Sequence, residues 1–336
     1  MPDNVTRGHD IEPTLTAVDP ADEYLNPESA DSSWEGVLTG ENSALQRTVD
    51  PDTQPGIDDF ADRVAFVTGG SRGVGRGIVR ALLRRGAIVA IADKYPEPID
   101  LGEDADPTRL RSYQLDVSDR EQYARVAAEV KRDLGEVTLL FNNAGIADSA
   151  SPSRMSYQMW DHMLGVNLGG VYNGIQTFTP DMIESPRRCH IVNTASEAGL
   201  VAGGSGFLYT ASKYGVVGLS ESLRFELAHH GIGVSVLSPG PVATDIVENT
   251  RRLRPAEAGD HTARTGQMLD LVHEILHLHG LDPDLVGEYT VQAVESNAAY
   301  INTRNTTTEL LRQRTDAIIA AMDHAQDFFE TSATKV

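Results

Sequence analysis

A glycine-rich turn set between an apolar strand and an amphipathic helix restricts this chain more than any other feature. RVAFVTGG, from Arg63 to Gly70, is a short apolar run that passes directly into the helix-like GVGRGIVRALLRRG. Thr68, Gly69, Gly73 and Gly75 fit the pattern TGxxxGxG. Side chains must be missing where a strand turns this tightly into a helix and lets a pyrophosphate approach main-chain N–H groups. The helix N-terminus then favours the negative charge.

The alternation continues down the chain. AIVAIAD, a helix near EQYARVAAEVKRDL, and VTLLFNNAG come next; CHIVNTAS and GVSVLSPG follow, each after a long helical stretch, and AAYINT closes the series at 298–303. Short apolar runs interleaved with helices predict a Rossmann-type doubly wound α/β fold, a parallel sheet of about seven strands flanked by helices. The expected domain spans residues 61–305, with 245–285 as a substrate loop and lid. Residues 306–336 read as a C-terminal helix with Leu310, Leu311, Ile318, Ile319 and Met322 along one side.

Residues 1–60 have a different texture. Asp and Glu recur there against only Arg7 and Arg47, and six prolines interrupt any long periodic element. That composition predicts an acidic N-terminal extension that is disordered or wraps a partner subunit. The whole chain carries a net charge of −21, which opposes binding to nucleic acid and to anionic membrane surfaces. The single cysteine, Cys189, rules out an intramolecular disulfide, and no apolar run is long enough for a membrane span. With no signal-peptide pattern at the N-terminus, a cytoplasmic location is expected.

Ser196 ends an apolar strand, and Tyr209 and Lys213 follow in YTASKYGVVGL. Four residues apart on a helix, the phenol and the ammonium share a face. A cation beside a phenol stabilises its ionised form, which would bring Tyr209 towards the working range of a general acid or base.

TGxxxGxG at 68–75, NNAG at 142–145, Asn167 in GVNLGG, Ser196, YxxxK at 209–213 and SPGPVATD at 238–245 occur in this order. Taken together, they resemble the short-chain dehydrogenase/reductase family over roughly residues 60–305. The resemblance implies that Tyr209 is the general acid/base on the substrate oxygen and that Ser196 hydrogen-bonds the same oxygen. It further implies that Lys213 lowers the Tyr209 pKa and binds the nicotinamide ribose, while Asn167 holds the water linking Lys213 to solvent. Gly69, Ser71, Arg72, Gly73, Val74 and Gly75 would form the cofactor loop. Asn143, Ala144 and Gly145 would line the adenosine side, Asp116 and Val117 would meet the adenine, and Pro239, Gly240, Val242 and Thr244 would border the nicotinamide. Two positions depart from the family pattern: Thr138 replaces a residue that is often acidic, and Glu197 puts a carboxylate next to Ser196.

The cofactor reading turns on two residues. Asp93 ends the second strand about 20 residues beyond the glycines, where an acidic side chain accepts both adenosine ribose hydroxyls. A 2′-phosphate there would face like charge, at roughly 4 kcal/mol per unit pair about 4 Å apart and an effective dielectric near 20. Arg72 could instead pair with that phosphate. Asp93 is expected to prevail, giving NAD over NADP and an enzyme that interconverts a secondary alcohol and a ketone. An NADPH-dependent ketone reductase and a non-catalytic nucleotide-binding protein of the same fold are the alternatives.

Leu200, Val201, Phe207, Leu208, Ile246, Val247 and Met268 suggest an apolar substrate pocket, whereas Arg251, Arg252 and Arg254 would suit an acidic substrate if they faced it. LVHEILHLHG contains HExxH at His273, Glu274 and His277, the spacing of a zinc peptidase helix. Within this family's variable region it reads instead as a lid or surface helix that buries Leu271, Ile275 and Leu278, and no metal is expected. Long apolar helices at about 157–182 and 209–230 predict a homotetramer or homodimer.

Overall fold

In the computed structural model, the structure describes residues 50–101, 106–203 and 206–333. Seven strands form one parallel sheet: β1 Val64–Thr68, β2 Ile88–Asp93, β3 Leu110–Gln114, β4 Val137–Asn142, β5 Cys189–Thr194, β6 Ile232–Ser238 and β7 Tyr300–Asn302. Their order is β3-β2-β1-β4-β5-β6-β7, so the chain reverses its direction of travel across the sheet between β1 and β4. Ligands of open α/β sheets bind in the crevice at such a reversal, beyond the C-terminal ends of the strands.

Side chains alternate across the sheet as the strand period requires. Ala65 and Val67 of β1 join the cluster on one face, with Ile78 and Leu82, while Val64 and Phe66 join Tyr123, Phe178 and Met182 on the other. Both faces are therefore covered, and β1 and β4 are buried along their whole lengths. β3 is the strand without a counterpart in the apolar runs of the sequence. In Leu110–Gln114 only Tyr113 is buried, because this strand forms the edge of the sheet.

Helix α1 Gly73–Arg84 follows β1, and α2 Arg120–Leu134 follows β3. Next come α3 Tyr157–Leu164, a π-turn at Gly165–Gly169 and α4 Gly170–Glu184, which together make one long rod, and then α5 Phe207–Leu227. Beyond β6 lie α6 Ile246–Leu253, α7 Ala263–His279 and α8 Pro283–Glu295; α9 Thr308–Ala333 ends the described chain. Helix α1 packs against α8 at backbone contact. A Cβ on Gly77 would lie 2.1 Å from the Pro283 carbonyl oxygen, and one on Gly287 would lie 2.0 Å from the Gly77 carbonyl carbon.

The compact unit begins at Asp50, so residues 50–60 belong to the folded body rather than to the acidic extension. Ile57 and Phe60 are buried in the main core cluster, and the Ile57 amide donates to the Val294 carbonyl at 3.2 Å. Buried Arg224 donates to the Pro51 carbonyl and to Asp52, and Asn297 donates to the carbonyls of Pro51 and Gln54. The acidic stretch before Asp50 lies outside the described residues. Among the described residues no helix is long and apolar enough to cross a membrane.

Candidate active site

A cavity of about 510 Å³ opens at the C-terminal ends of β1, β4, β5 and β6. Most of the residues expected around the cofactor line it: Gly69, Arg72, Gly73, Val74, Asp93, Asp116, Val117, Asn143, Ala144, Gly145, Pro239, Gly240, Val242 and Thr244, together with Ser196, Tyr209 and Lys213. Ser71, Gly75 and Asn167 stand behind the wall. Gly75 is needed for close approach, since a Cβ there would meet the Gly69 carbonyl oxygen at 2.2 Å. Gly73 has a φ of +51° and faces the Thr244 methyl group, so the glycine loop rests on the loop after β6. Asn143 fastens the turn from its other side: its side-chain amide donates to the carbonyls of Thr68 and Gly69 at 3.0 and 3.3 Å. These positions leave a cradle at the start of α1 that fits a dinucleotide pyrophosphate.

At the adenosine end, the Asp93 carboxylate accepts from the Ser71 and Tyr95 amides at 3.4 and 3.2 Å. Arg72 is already engaged. Its guanidinium pairs with Glu97, with Nε at 2.8 Å from Oε2, and Nη1 donates to Asn249 at 3.1 Å. The sequence reading did not single out Glu97, which sits in an irregular segment after β2 with no motif to mark it. It also passed over Lys94, which holds Asp116 at 2.6 Å; together with the Ser118 hydroxyl it keeps that carboxyl below its ordinary range against the upward push of burial. Arg252 lies over the Tyr95 ring at 5.0 Å and lines the same end of the cavity.

The floor of the cavity is built around α5. Lys213 is buried and donates to the Thr194 carbonyl at 2.9 Å, and removal from water lowers its pKa to about 8. Its ammonium stands 5.6 Å from the centre of the Tyr209 ring. Burial pushes the Tyr209 phenol above its ordinary value, and the neighbouring Ser196 side chain opposes that push. Asn167 is fully buried on the π-turn: it accepts from the Ile146 amide and donates to the Ile146 carbonyl and to Ser212 Oγ, at 2.9, 3.0 and 3.0 Å. Ser212 Oγ in turn donates to the Tyr209 carbonyl at 2.7 Å.

The roof is apolar, but not as expected. Ile246 and Val247 line the cavity with Leu253, Leu269, Val272 and Leu276, whereas Leu200, Val201, Phe207, Leu208 and Met268 do not. On α7 the buried and exposed faces are exchanged relative to the sequence reading, for Leu271, Ile275 and Leu278 are 56%, 41% and 67% exposed. The helix lies across the cavity mouth, so its inward face is the one carrying Leu269, Val272 and Leu276. His277 Nδ1 donates to the His273 carbonyl at 2.9 Å, and its Nε2 lies 3.3 Å from Asp245. Among the described residues no group of three or more His, Cys, Asp and Glu side chains is arranged to hold a metal ion. Two arginines of the basic cluster are committed elsewhere, Arg251 to Asp270 at 2.7 Å and Arg254 to buried Asp148, while Arg252 lines the cavity over Tyr95.

A Rossmann-type sheet, a glycine cradle and a Ser–Tyr–Lys floor define a nucleotide-dependent oxidoreductase of the short-chain type, and the family model for short chain dehydrogenase matches residues 63–254. The chain belongs to that family. It is 37% identical over 268 residues to a C alpha-dehydrogenase of a Sphingobium species, covering 78% of this chain and 87% of the relative. It is 34% identical over 213 residues to 3beta-hydroxysteroid dehydrogenase 2 of Eggerthella lenta, covering 62% and 80% of the two chains. A short chain dehydrogenase/reductase of Burkholderia phymatum, solved in complex with NAD, superposes with a TM-score of 0.71 at 28% identity, covering 79% of this chain and 97% of the other.

Proposed function

We propose that the chain is an NAD-dependent dehydrogenase that oxidises a medium-sized hydrophobic secondary alcohol to the ketone. The observation that carries this reading is the convergence of Ser196, Tyr209 and buried Lys213 on one apolar-roofed cavity. The glycine loop and Asp93 would hold the dinucleotide, and Lys213 its nicotinamide ribose. Bound NAD supplies the hydride acceptor. Tyr209 takes the proton of the substrate hydroxyl, while Ser196 donates a hydrogen bond to that oxygen and fixes it before the phenol. Lys213 receives the proton from the phenol side and passes it towards the Asn167 region. Asn167 sets this geometry through Ile146 on one side and, through Ser212, the Tyr209 backbone on the other.

The pairing of Arg72 with Glu97 supports NAD over NADP, because the cation that would greet a 2′-phosphate is already neutralised while Asp93 faces the cavity. The commitment of Arg251 and Arg254 to ion pairs supports a hydrophobic substrate over an acidic one. The relative that is a hydroxysteroid dehydrogenase favours the same substrate character. Kinetics with a panel of hydrophobic and acidic secondary alcohols and ketones, with each cofactor, tests the proposal. Turnover confined to acidic substrates, or a higher kcat/KM with NADP, overturns it.

The reading extends to assembly and location. Tyr157, Trp160, Tyr172 and Phe225 leave aromatic surface exposed on α3, α4 and α5, which supports a homodimer or homotetramer formed through these helices. A cytoplasmic enzyme is the accompanying expectation. Light scattering at micromolar concentration checks the assembly, and a stable monomer contradicts it.

A further inference from the structure

The substrate end of the cavity holds a carboxylate that the proton-handling network leaves unused. Glu197 directly follows Ser196, opens the short turn Glu197–Gly199 and lines the same cavity as Tyr209 and Lys213. Its side chain lies against the backbone of Gly240, where a Cβ would stand 3.0 Å from Oε1, so the absence of a side chain at 240 makes room for it. Behind it, the Thr306 hydroxyl donates at 3.2 and 3.4 Å to the two oxygens. These are long contacts, and an ionised carboxylate has about four acceptor directions.

Most of the other charged groups around the cavity have partners of their own, and of the rest Asp93 accepts from backbone amides, Lys213 donates to the Thr194 carbonyl and Arg252 lies over the Tyr95 ring. Arg72 pairs with Glu97, Lys94 with Asp116, Arg254 with Asp148 and Asp245 with His277. Among the described residues Glu197 makes no ion pair within 4 Å, though the charge of Arg304 reaches it. Burial pushes its carboxyl upward, with Thr306 and Arg304 opposing that push. A half-buried acceptor with Thr306 as a long protein donor and lone pairs still open, lining a cavity otherwise roofed by Ile246, Leu269, Val272 and Leu276, is stabilised by a further donor.

We propose that Glu197 is a specificity-determining residue that accepts a hydrogen bond from a hydroxyl group carried by the substrate away from the carbon being oxidised. The inference rests on the dehydrogenase reading above and narrows its substrate class to hydrophobic secondary alcohols bearing a second hydroxyl. A site built to receive a hydroxyl discriminates strongly against an analogue that lacks it, because the buried acceptor is then left unpaired. Carboxylate-bearing analogues are rejected by like charge.

The test uses matched pairs of hydrophobic secondary alcohols, each pair being a diol and its mono-O-methyl ether at the second hydroxyl. They are assayed with NAD on the wild type, Glu197→Gln and Glu197→Leu. The wild type is expected to prefer the diol at least tenfold in kcat/KM, chiefly through KM. In Glu197→Leu the diol-to-ether ratio falls at least tenfold, and Glu197→Gln, which keeps one acceptor oxygen, lies between. Binding of the corresponding ketones to the enzyme–NADH complex, followed by thermal shift, should show the same preference without turnover. A ratio unchanged within about twofold in Glu197→Leu, or no diol preference in the wild type for any pair, overturns the role of Glu197. Turnover that persists in Tyr209→Phe overturns the dehydrogenase reading instead, so the two failures are told apart.

Discussion

The Lys213 ammonium stands 5.6 Å from the centre of the Tyr209 ring, one helical turn along α5, with its own hydrogen bond spent on the Thr194 carbonyl. The lysine therefore flanks the phenol ring, and Ser196 lines the same cavity. Tyr209→Phe removes the proton-transferring oxygen and little volume. It is expected to lower kcat by about 10²–10⁴-fold, while NADH affinity from fluorescence titration stays within about twofold. Wild-type turnover in the variant would refute the assigned proton transfer.

Lys213 also predicts a pH signature. Its folded-state pKa is lowered to about 8 from an ordinary 10.5, so between those values the unfolded chain binds the extra proton. Stability then gains a contribution as pH rises from about 8 to 10.5, and the cost of burying the charge is fully present below 8. Denaturant midpoints of the cofactor-free protein at pH 7.5 and 10 should show this gain in the wild type relative to Lys213→Met. The kcat for alcohol oxidation should rise through pH 8 as the amine becomes able to take a proton. A flat profile in the wild type would count against the relay.

Cofactor choice is exposed to a charge swap at two positions. Asp93→Ser is expected to erode the NAD preference at least tenfold in the ratio of kcat/KM values. Glu97→Gln should raise the efficiency with NADP by freeing the Arg72 guanidinium, without altering the cavity floor. Equal NADP efficiency in wild type and Glu97→Gln would show that Arg72 does not reach the ribose.

Close packing of α1 on α8 makes a stability prediction. Gly287→Ala forces a methyl group to within 2.0 Å of Gly77 backbone and is expected to cost about 1–3 kcal/mol, seen as a Tm several degrees lower. Gly266→Ala, in α7 with nothing within 4 Å of the new Cβ, is the control and should be neutral or stabilising.

HExxH should prove chemically silent. Dialysis against a chelator is expected to leave turnover unchanged and to release no stoichiometric zinc, as measured by elemental analysis. Zinc at one equivalent per chain, lost together with activity, would reverse the reading of α7 as a lid helix.

The inner strands and the motif residues were legible because buried parallel strands are continuous apolar runs and the glycine positions leave no substitute. β3 escaped because an edge strand with one buried residue carries no such run. The roof was misread for a different reason. Helical spacing marks which residues of α7 share a face, but Leu269, Val272 and Leu276 form one apolar stripe and Leu271, Ile275 and Leu278 another, and only the placement of the helix over the cavity selects between them. Glu97 was invisible for want of any pattern, since its meaning comes from Arg72 reaching it across the turn. Residues 50–60 were grouped with the acidic extension by composition, although Ile57 and Phe60 supply the anchors that composition averages away.

The π-turn at Gly165–Gly169 has a geometric consequence for the rod that contains it. Met159, Met163, Asn167, Val171 and Ile175 recur at strict intervals of four, and all are buried. In an uninterrupted α-helix each step of four rotates the side chain by about 40°, so four steps would carry Ile175 roughly 160° around the axis from Met159. One additional residue within the turn sets the phase back by about 100°. The stripe is thereby straightened, and a single rod can press methionines against the substrate end, keep Asn167 beneath the cavity floor and still direct Val171 and Ile175 into the packed layer beside the sheet. Deleting one residue from Gly165–Gly169 should therefore act like a twist between two gears, throwing the two halves of the rod out of mesh.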